Sequence, residues 1–358
     1  MDRKKTYQFE KISLDQVDRN FDLLCLNRLD PKRYPYLLES VAGGTVNSRF
    51  SILFSFPQST HVLDSEGKIN GKKGDFLEVV NKLWMKERVD SDERSDLPFT
   101  GGWFVYLGYE LVGQIESGLN LPESKNQLPV ALISRVASAM IVDHLKNDLI
   151  LFSENSCKEN IALMKRDLSI ACKKFSTENF KMKSFLRGEL IEDDEKAYLR
   201  SVKKCIDYIF QGDVFQVNLS KSWRGKLIAN IDHSEIYQQL RRCNPSPFAG
   251  LMCLGNKSVI SSSPERLIES RRGILQTRPI AGTRPRGASG ITDIALSNEL
   301  IAHPKERAEH IMLLDLERND MSRVCEAGTV KVNEMMIVES YTHVHHIVSN
   351  VIGVLRDE

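Results

Sequence analysis

Hydrophobic and polar positions follow two different rhythms along this chain. Up to about residue 152 the apolar residues come in short runs or alternate with polar ones, the mark of strands. "RFSILFSFP" (Arg49–Pro57) and "VALISRVASAMIVDH" (Val130–His144) read as strands. "FTGGWFVYLGYELVG" (Phe99–Gly113) is apolar, aromatic and punctuated by glycine, which predicts a strand with close backbone packing. A helix is expected over Glu159–Lys174, and the polar, aperiodic stretch Ser176–Asp194 reads as a linker.

Beyond the linker the helical rhythm sharpens. Tyr198, Val202, Cys205, Ile206 and Ile209 recur at spacings of three and four, with acidic residues before them and Gly212 after, so an amphipathic helix is expected. "VFQVNLS" (Val214–Ser220) alternates like a strand, and a further helix is expected over Ser234–Cys243, ended by "NPSPF". "SVISSSPERLIES" and "GILQTRPIAGT" read as a strand pair. "PKERAEHIMLLDLERNDMSRV" is a long helix with Pro304 at its first position, and "TVKVNEMMIVESYTHVHHIVSNVIGVL" reads as consecutive strands. The expected organisation is an N-terminal region over 1–175, a linker over 176–194 and a second domain over 195–358. The expected fold class is mixed α/β (α+β): sheets packed on each other as a two-layer, sandwich-like core, with helices outside.

Composition narrows the function classes. Lys and Arg number 49 and Asp and Glu 48, leaving a net charge of +1, which gives no reason to expect nucleic acid or a membrane surface as partner. No apolar run is long enough to span a bilayer, and the charged start "MDRKKTYQFEKISLD" has no apolar core of a secretory signal. Seven scattered cysteines without a C-x-x-C pair argue against a disulfide framework or a zinc site and fit a reducing cytosol.

The candidate chemistry lies late in the chain. Glu306 and Glu309 are three apart near a helix start, so their carboxylates face the same way. Such a pair can hold Mg²⁺, although on pattern alone a solvated face paired to Lys305 and Arg307 is the commoner reading. His303, His310, His343, His345 and His346 cluster in sequence; any of them could serve as an acid or base or as a buried structural group. Glu265 follows a proline at a strand end, where a carboxylate can project into a site or into solvent. "ILQTRPIAGTRPRG" (Ile274–Gly287) reads as a cationic strand–turn–strand, with Arg278, Arg284 and Arg286 around Thr283.

"GDVFQVNLS", "NPSPF", "SSPERL", "RPIAGTRPRG", "KERAEHIMLLDLERND" and "HVHHIVSNV" together resemble the chorismate-utilising enzyme family, densely over residues 195–354. "YPYLLES", "RFSILFSFP" and "GGWFVYLGYE" look like the first domain of its two amination branches, aminodeoxychorismate synthase component I and anthranilate synthase component I. The resemblance implies the anthranilate synthase component I-like fold, chorismate as substrate, Mg²⁺ as cofactor and a cytoplasmic location. No glutamine-amidotransferase nucleophile signature occurs, so ammonia is expected from a separate amidotransferase subunit. By resemblance Glu309 ligates Mg²⁺ with Glu306 in support, His346 sits by the reacting ring, and Glu265 is the candidate general acid/base. Thr283 and the backbone at Gly282 would face the substrate, glycine being needed for the close approach.

Two departures matter. Ala281 stands where the aminodeoxychorismate branch usually carries a lysine that attacks the ring at carbon 2 before ammonia enters at carbon 4; alanine is usual in the anthranilate branch. Lys221 is the nearest substitute that the motifs offer. The family pattern also continues past the point corresponding to Glu358, with a "GAPK"-type motif, a tyrosine, an arginine and another Mg²⁺-ligating glutamate. Residues 1–358 alone are therefore expected to turn chorismate over weakly or not at all, and to end in unpaired strands. The N-terminal stretches favour the aminodeoxychorismate branch, Ala281 the anthranilate branch, and the departures an inactive remnant. In the anthranilate branch, feedback by tryptophan through a pocket near "LLES" (Leu37–Ser40) is the usual regulation.

Overall fold

A computed structural model describes residues 7–18, 21–42, 48–88, 96–116, 118–119, 121, 128–175 and 182–357. The charged extreme N-terminus and the first part of the expected linker, residues 176–181, lie outside the described residues. Residues 1–178 with 237–358 form one compact unit, and residues 179–236 form a second.

Among the described residues the larger unit holds three sheets, and all their pairings are antiparallel. The first runs β1 (Tyr7–Ser13), β10 (Asp148–Glu154), β9 (Ser138–Asp143), β3 (Phe50–Ser55), β2 (Tyr36–Glu39), β13 (Phe248–Leu254), β14 (Lys257–Ser263). The second runs β6 (Lys72–Lys73), β5 (Lys68–Ile69), β4 (Thr60–Leu63), β8 (Ala131–Val136), β7 (Gly102–Leu107). Tyr36, Phe54 and Met252 of the first sheet meet Leu132 and Val136 of the second, and the Tyr36 and Phe104 rings stack with centroids 4.0 Å apart. Helices close the outer faces. Leu24 and Leu26 of α1 (Leu24–Leu29) and Ile161, Met164 and Leu168 of α4 (Asn160–Phe175) bury the far side of the first sheet. Phe76 of α2 (Phe76–Glu87) fills that of the second, and Gln114 of the short α3 (Val112–Ile115) accepts the Phe76 N–H at 2.9 Å. The expected sandwich with outer helices is observed.

One apolar run serves both sheets. Val130–His144 is two strands that part at Ala137: β8 joins the second sheet and β9 the first. Arg135 sits at this corner with 6% of its surface exposed. Its Nη2 donates to both Glu154 oxygens at 2.7 and 2.8 Å, Nε reaches Glu87, and Nη1 donates to the Gly102 and Val136 carbonyls at 3.0 and 2.6 Å. Two carboxylates and two carbonyls make burial of the guanidinium tolerable.

The third sheet runs β15 (Glu269–Arg271), β16 (Ile274–Thr277), β19 (Val344–Val354), β17 (Ile280–Pro285), with β18 (Lys331–Ser340) on the free flank of β19. Its helices are α7 (Gly290–Ala302) and α8 (Pro304–Ser322), packed through Leu300, Leu314 and Met321 against Leu275, Ile347 and Val351. β19 is therefore the central strand, paired on both flanks, which corrects the expectation of unpaired closing strands for β19; among the described residues β18 pairs on one flank only. The expected strand–turn–strand over Ile274–Gly287 is corrected too. β16 and β17 lie end to end along the same side of β19, pairing Thr277 with Val351 and Ile280 with Val348. Pro279 has no N–H for the ladder, so it interrupts the strand without reversing it. The expected pairing of "SVISSSPERLIES" with "GILQTRPIAGT" holds only for β15 with β16; β14 belongs to the first sheet.

In the second unit α5 (Glu195–Gln211) is capped as expected, by Asp194 on the Ala197 N–H and by Gly212 at φ +79°. β11 (Ile191–Glu192) pairs with β12 (Trp223–Arg224). Val214–Ser220 is not a strand, because alternation alone makes none without a ladder partner, and no described strand pairs with it. The helix α6 (His233–Cys243) spans the boundary between the units.

Removing Glu154 leaves the buried Arg135 with Glu87 as its one remaining carboxylate partner among the described residues. Glu154→Ala is expected to lower unfolding stability by about 3–5 kcal/mol in urea titration. A loss under about 1 kcal/mol would mean that water reaches Arg135.

Candidate functional site

The site forms where β17 loses register with β19. Ile280 pairs with Val348 and Thr283 with His346, so β17 carries one residue more than its partner. Gly282 takes up the excess at φ +85°. A β-carbon there would come 3.1 Å from Glu306 Oε2 and 3.2 Å from Leu300 Cδ1. Only glycine satisfies both conditions. Ala281 beside it is buried.

Beyond the bulge Thr283 Oγ1 lies 2.9 Å from His346 Nδ1. His346 is 9% exposed, and its ring centroid is 5.7 Å from that of Tyr341. Burial pushes its pKa below the usual histidine value, partly opposed by a hydrogen bond to the Gly282 backbone. His346 also lines a cavity of about 200 Å³ with Asn244, Pro247, Ser262, Pro264 and Tyr341. Three separate sequence motifs supply that lining.

The expected site residues divide between the two faces of the sheet. Thr283 and His346 share one face. Arg284 and His345, the next cross-strand pair, take the other, where Arg284 reaches Glu299 and Glu306, and His345 Nε2 lies 2.9 Å from Asp293 Oδ1. Glu306 is on that helical face, 3.3 Å from Arg284 Nη1. Glu309 follows one turn later and is half-buried. No group of three His, Cys, Asp or Glu able to hold a metal ion occurs among the described residues. The faces meet at the outer edge of β17, where the Ile280 N–H donates to Glu265 Oε1 at 2.9 Å. Burial raises the Glu265 pKa. Glu317 of α8 faces the same edge; its pKa is raised by burial and then by the Asp320 and Glu265 charges.

The three arginines are all matched by carboxylates. Arg278 donates to Glu339 at 2.6 and 3.0 Å and also to Glu334. Arg284 is held by Glu299 at 2.9 Å, and Arg286 by Asp293 at 2.8 Å. Asp293 escaped the sequence reading. It also accepts the Gly287 N–H at 2.7 Å, and these donors, Arg286 first, hold its carboxyl well below the usual range. Its only sequence signal is the Ser289–Thr292 cap beside it. Lys221, the substitute nucleophile, is exposed and bound to Glu192, which raises its pKa, opposite to what a nucleophilic amine requires. A larger cavity of about 540 Å³ lies away from the bulge; Ser40 of "LLES" lines it with Arg49, Arg266, Arg271 and Arg278.

Residues 36–358 match the model of the family described as chorismate binding enzyme. The "Anthranilate synthase component I-like protein" of Synechocystis sp. is 38% identical over 265 residues, covering 73% of this chain and 53% of that protein. The "Aminodeoxychorismate synthase component 1" of Bacillus subtilis is 36% identical over 369 residues, covering 99% of this chain and 75% of that protein. This chain thus spans about half of the one relative and three quarters of the other. The crystal structure of anthranilate synthase component I from Streptococcus pneumoniae matches with a TM-score of 0.70 at 27% identity, over 88% of this chain and 71% of that one.

Burial lowers the pKa of His144, His310 and His346. Below the ordinary histidine value the unfolded chain binds protons that the folded chain refuses. The stability these groups contribute is complete above that value and is lost as pH falls through it. The urea midpoint is expected to fall between about pH 7.5 and about pH 5.5, and to fall less in His346→Gln. An unchanged slope in that variant would mean that His346 protonates freely in the fold.

Proposed function

The chain belongs to the chorismate-binding enzyme family, and on that premise we propose that it is the aminating component of an aminodeoxychorismate synthase. Ammonia from a separate glutamine amidotransferase replaces the carbon-4 hydroxyl of chorismate, which leaves as water, giving 4-amino-4-deoxychorismate for 4-aminobenzoate and folate synthesis. The observation that carries the reading is the bulge at Gly282, which gathers Thr283, His346, Glu306 and, at its open edge, Glu265. The choice of product rests on the N-terminal stretches; the Bacillus relative of that name aligns over 99% of this chain, as does an anthranilate synthase component 1 of Acetivibrio thermocellus.

Each residue has a task suited to its surroundings. Glu265, with its raised proton affinity, is the acid that protonates the departing hydroxyl. Thr283, fixed by a neutral His346, presents its hydroxyl oxygen in one orientation. The cavity beside His346 shelters the reacting ring. Mg²⁺ is the implied cofactor. Glu309, with Glu306 once it leaves Arg284, would supply carboxylate ligands to the ion. Bound there, it would offset the negative charge of a substrate carboxylate.

Ala281 supports a second reading, anthranilate synthase, because an alanine forms no adduct. The two are separated by incubating the full-length protein with chorismate, ammonia and Mg²⁺. The expected product yields 4-aminobenzoate when the appropriate lyase is added, and Glu309→Gln abolishes Mg²⁺-dependent turnover. Anthranilate fluorescence as the sole signal would transfer the assignment to the second reading. Unaltered Mg²⁺ dependence in Glu309→Gln would remove that residue from the metal site.

A further inference from the structure

We propose that His310 and Ser349 form a positioning pair that sets helix α8, with Glu306 and Glu309, against the bulge at Gly282. The pair acts within the site just assigned, and its catalytic consequence rests on that reading.

Ser349 occupies a singular place in β19. On one flank, β18 bulges: Glu334 pairs with Asn350 and Ile337 with Val348, which leaves an extra residue opposite Ser349. Met336 sits in that bulge at φ +49°, and its N–H, lost to the ladder, donates to Ser349 Oγ at 2.8 Å. On the other flank, the Ser349 N–H donates to the carbonyl of Pro279, where β16 and β17 are interrupted, at 3.3 Å. Ser349 thus supplies hydrogen bonds to irregular backbone on both sides at once.

Its hydroxyl has one proton left to give. Oγ already accepts from Met336, and its remaining partner is His310 Nε2 at 2.6 Å. The hydroxyl and Nε2 share one hydrogen bond, donated by whichever of them carries the proton. His310 is fully buried, and Nδ1 has no hydrogen-bond partner. An unpartnered buried ring nitrogen weakens the fold in either tautomer. A leucine would fill the space without one, so stability alone does not call for histidine here. What histidine adds is a directional bond from the helix turn bearing Glu306 and Glu309 to the strand residue that also holds Pro279. The helix face and the bulge are thereby tied to one atom group.

The test compares His310→Leu, His310→Gln and Ser349→Ala with Leu314→Ala, a cavity one turn further along the same helix that leaves the His310–Ser349 bond in place. Glutamine can place a polar atom near the position of Nε2. Hydrogen exchange is measured in the full chain at native conditions. In His310→Leu and Ser349→Ala the amides of residues 280–283 and of Met336 are expected to exchange at least about tenfold faster than in Leu314→Ala at equal loss of melting temperature. His310→Gln should stay within about twofold of the unaltered chain. Equal exchange in His310→Leu and Leu314→Ala would overturn the pairing and leave His310 as ordinary core. Turnover is read separately in the full-length protein: kcat in His310→Leu should fall about tenfold or more with the chorismate KM little changed, and His310→Gln should restore it. A fall in stability without that kcat loss would also overturn the positioning role. Absence of chorismate turnover in the unaltered protein would instead refute the assigned activity and leave the exchange result standing.

Discussion

One surplus residue in β17 governs the arrangement around it. A strand in register with β19 would place its side chains strictly by alternation, and the helices would meet a continuous wall. The extra residue at Ala281–Gly282 breaks that wall at an edge strand. Glycine at φ +85° lets the Glu306 side chain come close from the helical side, while Thr283 turns to His346 on the other. A bulge beside a functional site is a recurrent use of this irregularity. Here it brings groups from opposite faces of one sheet toward a single edge.

The three arginines around Thr283 are explained by their partners. Glu339 and Glu334, Glu299 and Glu306, and Asp293 lie on β18, α7 and α8, and each arginine fastens β16–β17 or its exit to one of them. The segment is cationic because it is the meeting place of acidic elements. Arg284 differs from the others, since one of its partners is a candidate metal ligand.

The sequence was legible where a single element explains its own pattern. α8 announces itself through Pro304, and α5 through its acidic start and Gly212. α7 was missed because its apolar residues do not lie on one face: Leu300 is buried while Ile291 and Ile294 are exposed. Val214–Ser220 misled for the converse reason, since its alternation has no partner strand among the described residues. Within the site, Glu306 and Glu309 could be read from spacing on one helix, and Thr283, His346 and Glu265 from their motifs. The split between two faces could not. It depends on a register shift between residues more than sixty positions apart in sequence, which only the paired strands determine. Asp293 and Ser349 were invisible likewise, because their partners come from other strands and helices.

The burial of Ala281 has a consequence for how chemistries are exchanged within such a family. Its β-carbon begins in a place closed to water, next to the bulge. Any amine growing from that carbon would start its path where charge is disfavoured, the condition that turns an ammonium into a free, attacking amine. On this frame, the difference between a route with a covalent adduct and one without need involve no movement of strand, helix or metal ligand. It can reside in what one buried carbon carries, so close relatives sharing the whole scaffold can part company in product at a single codon.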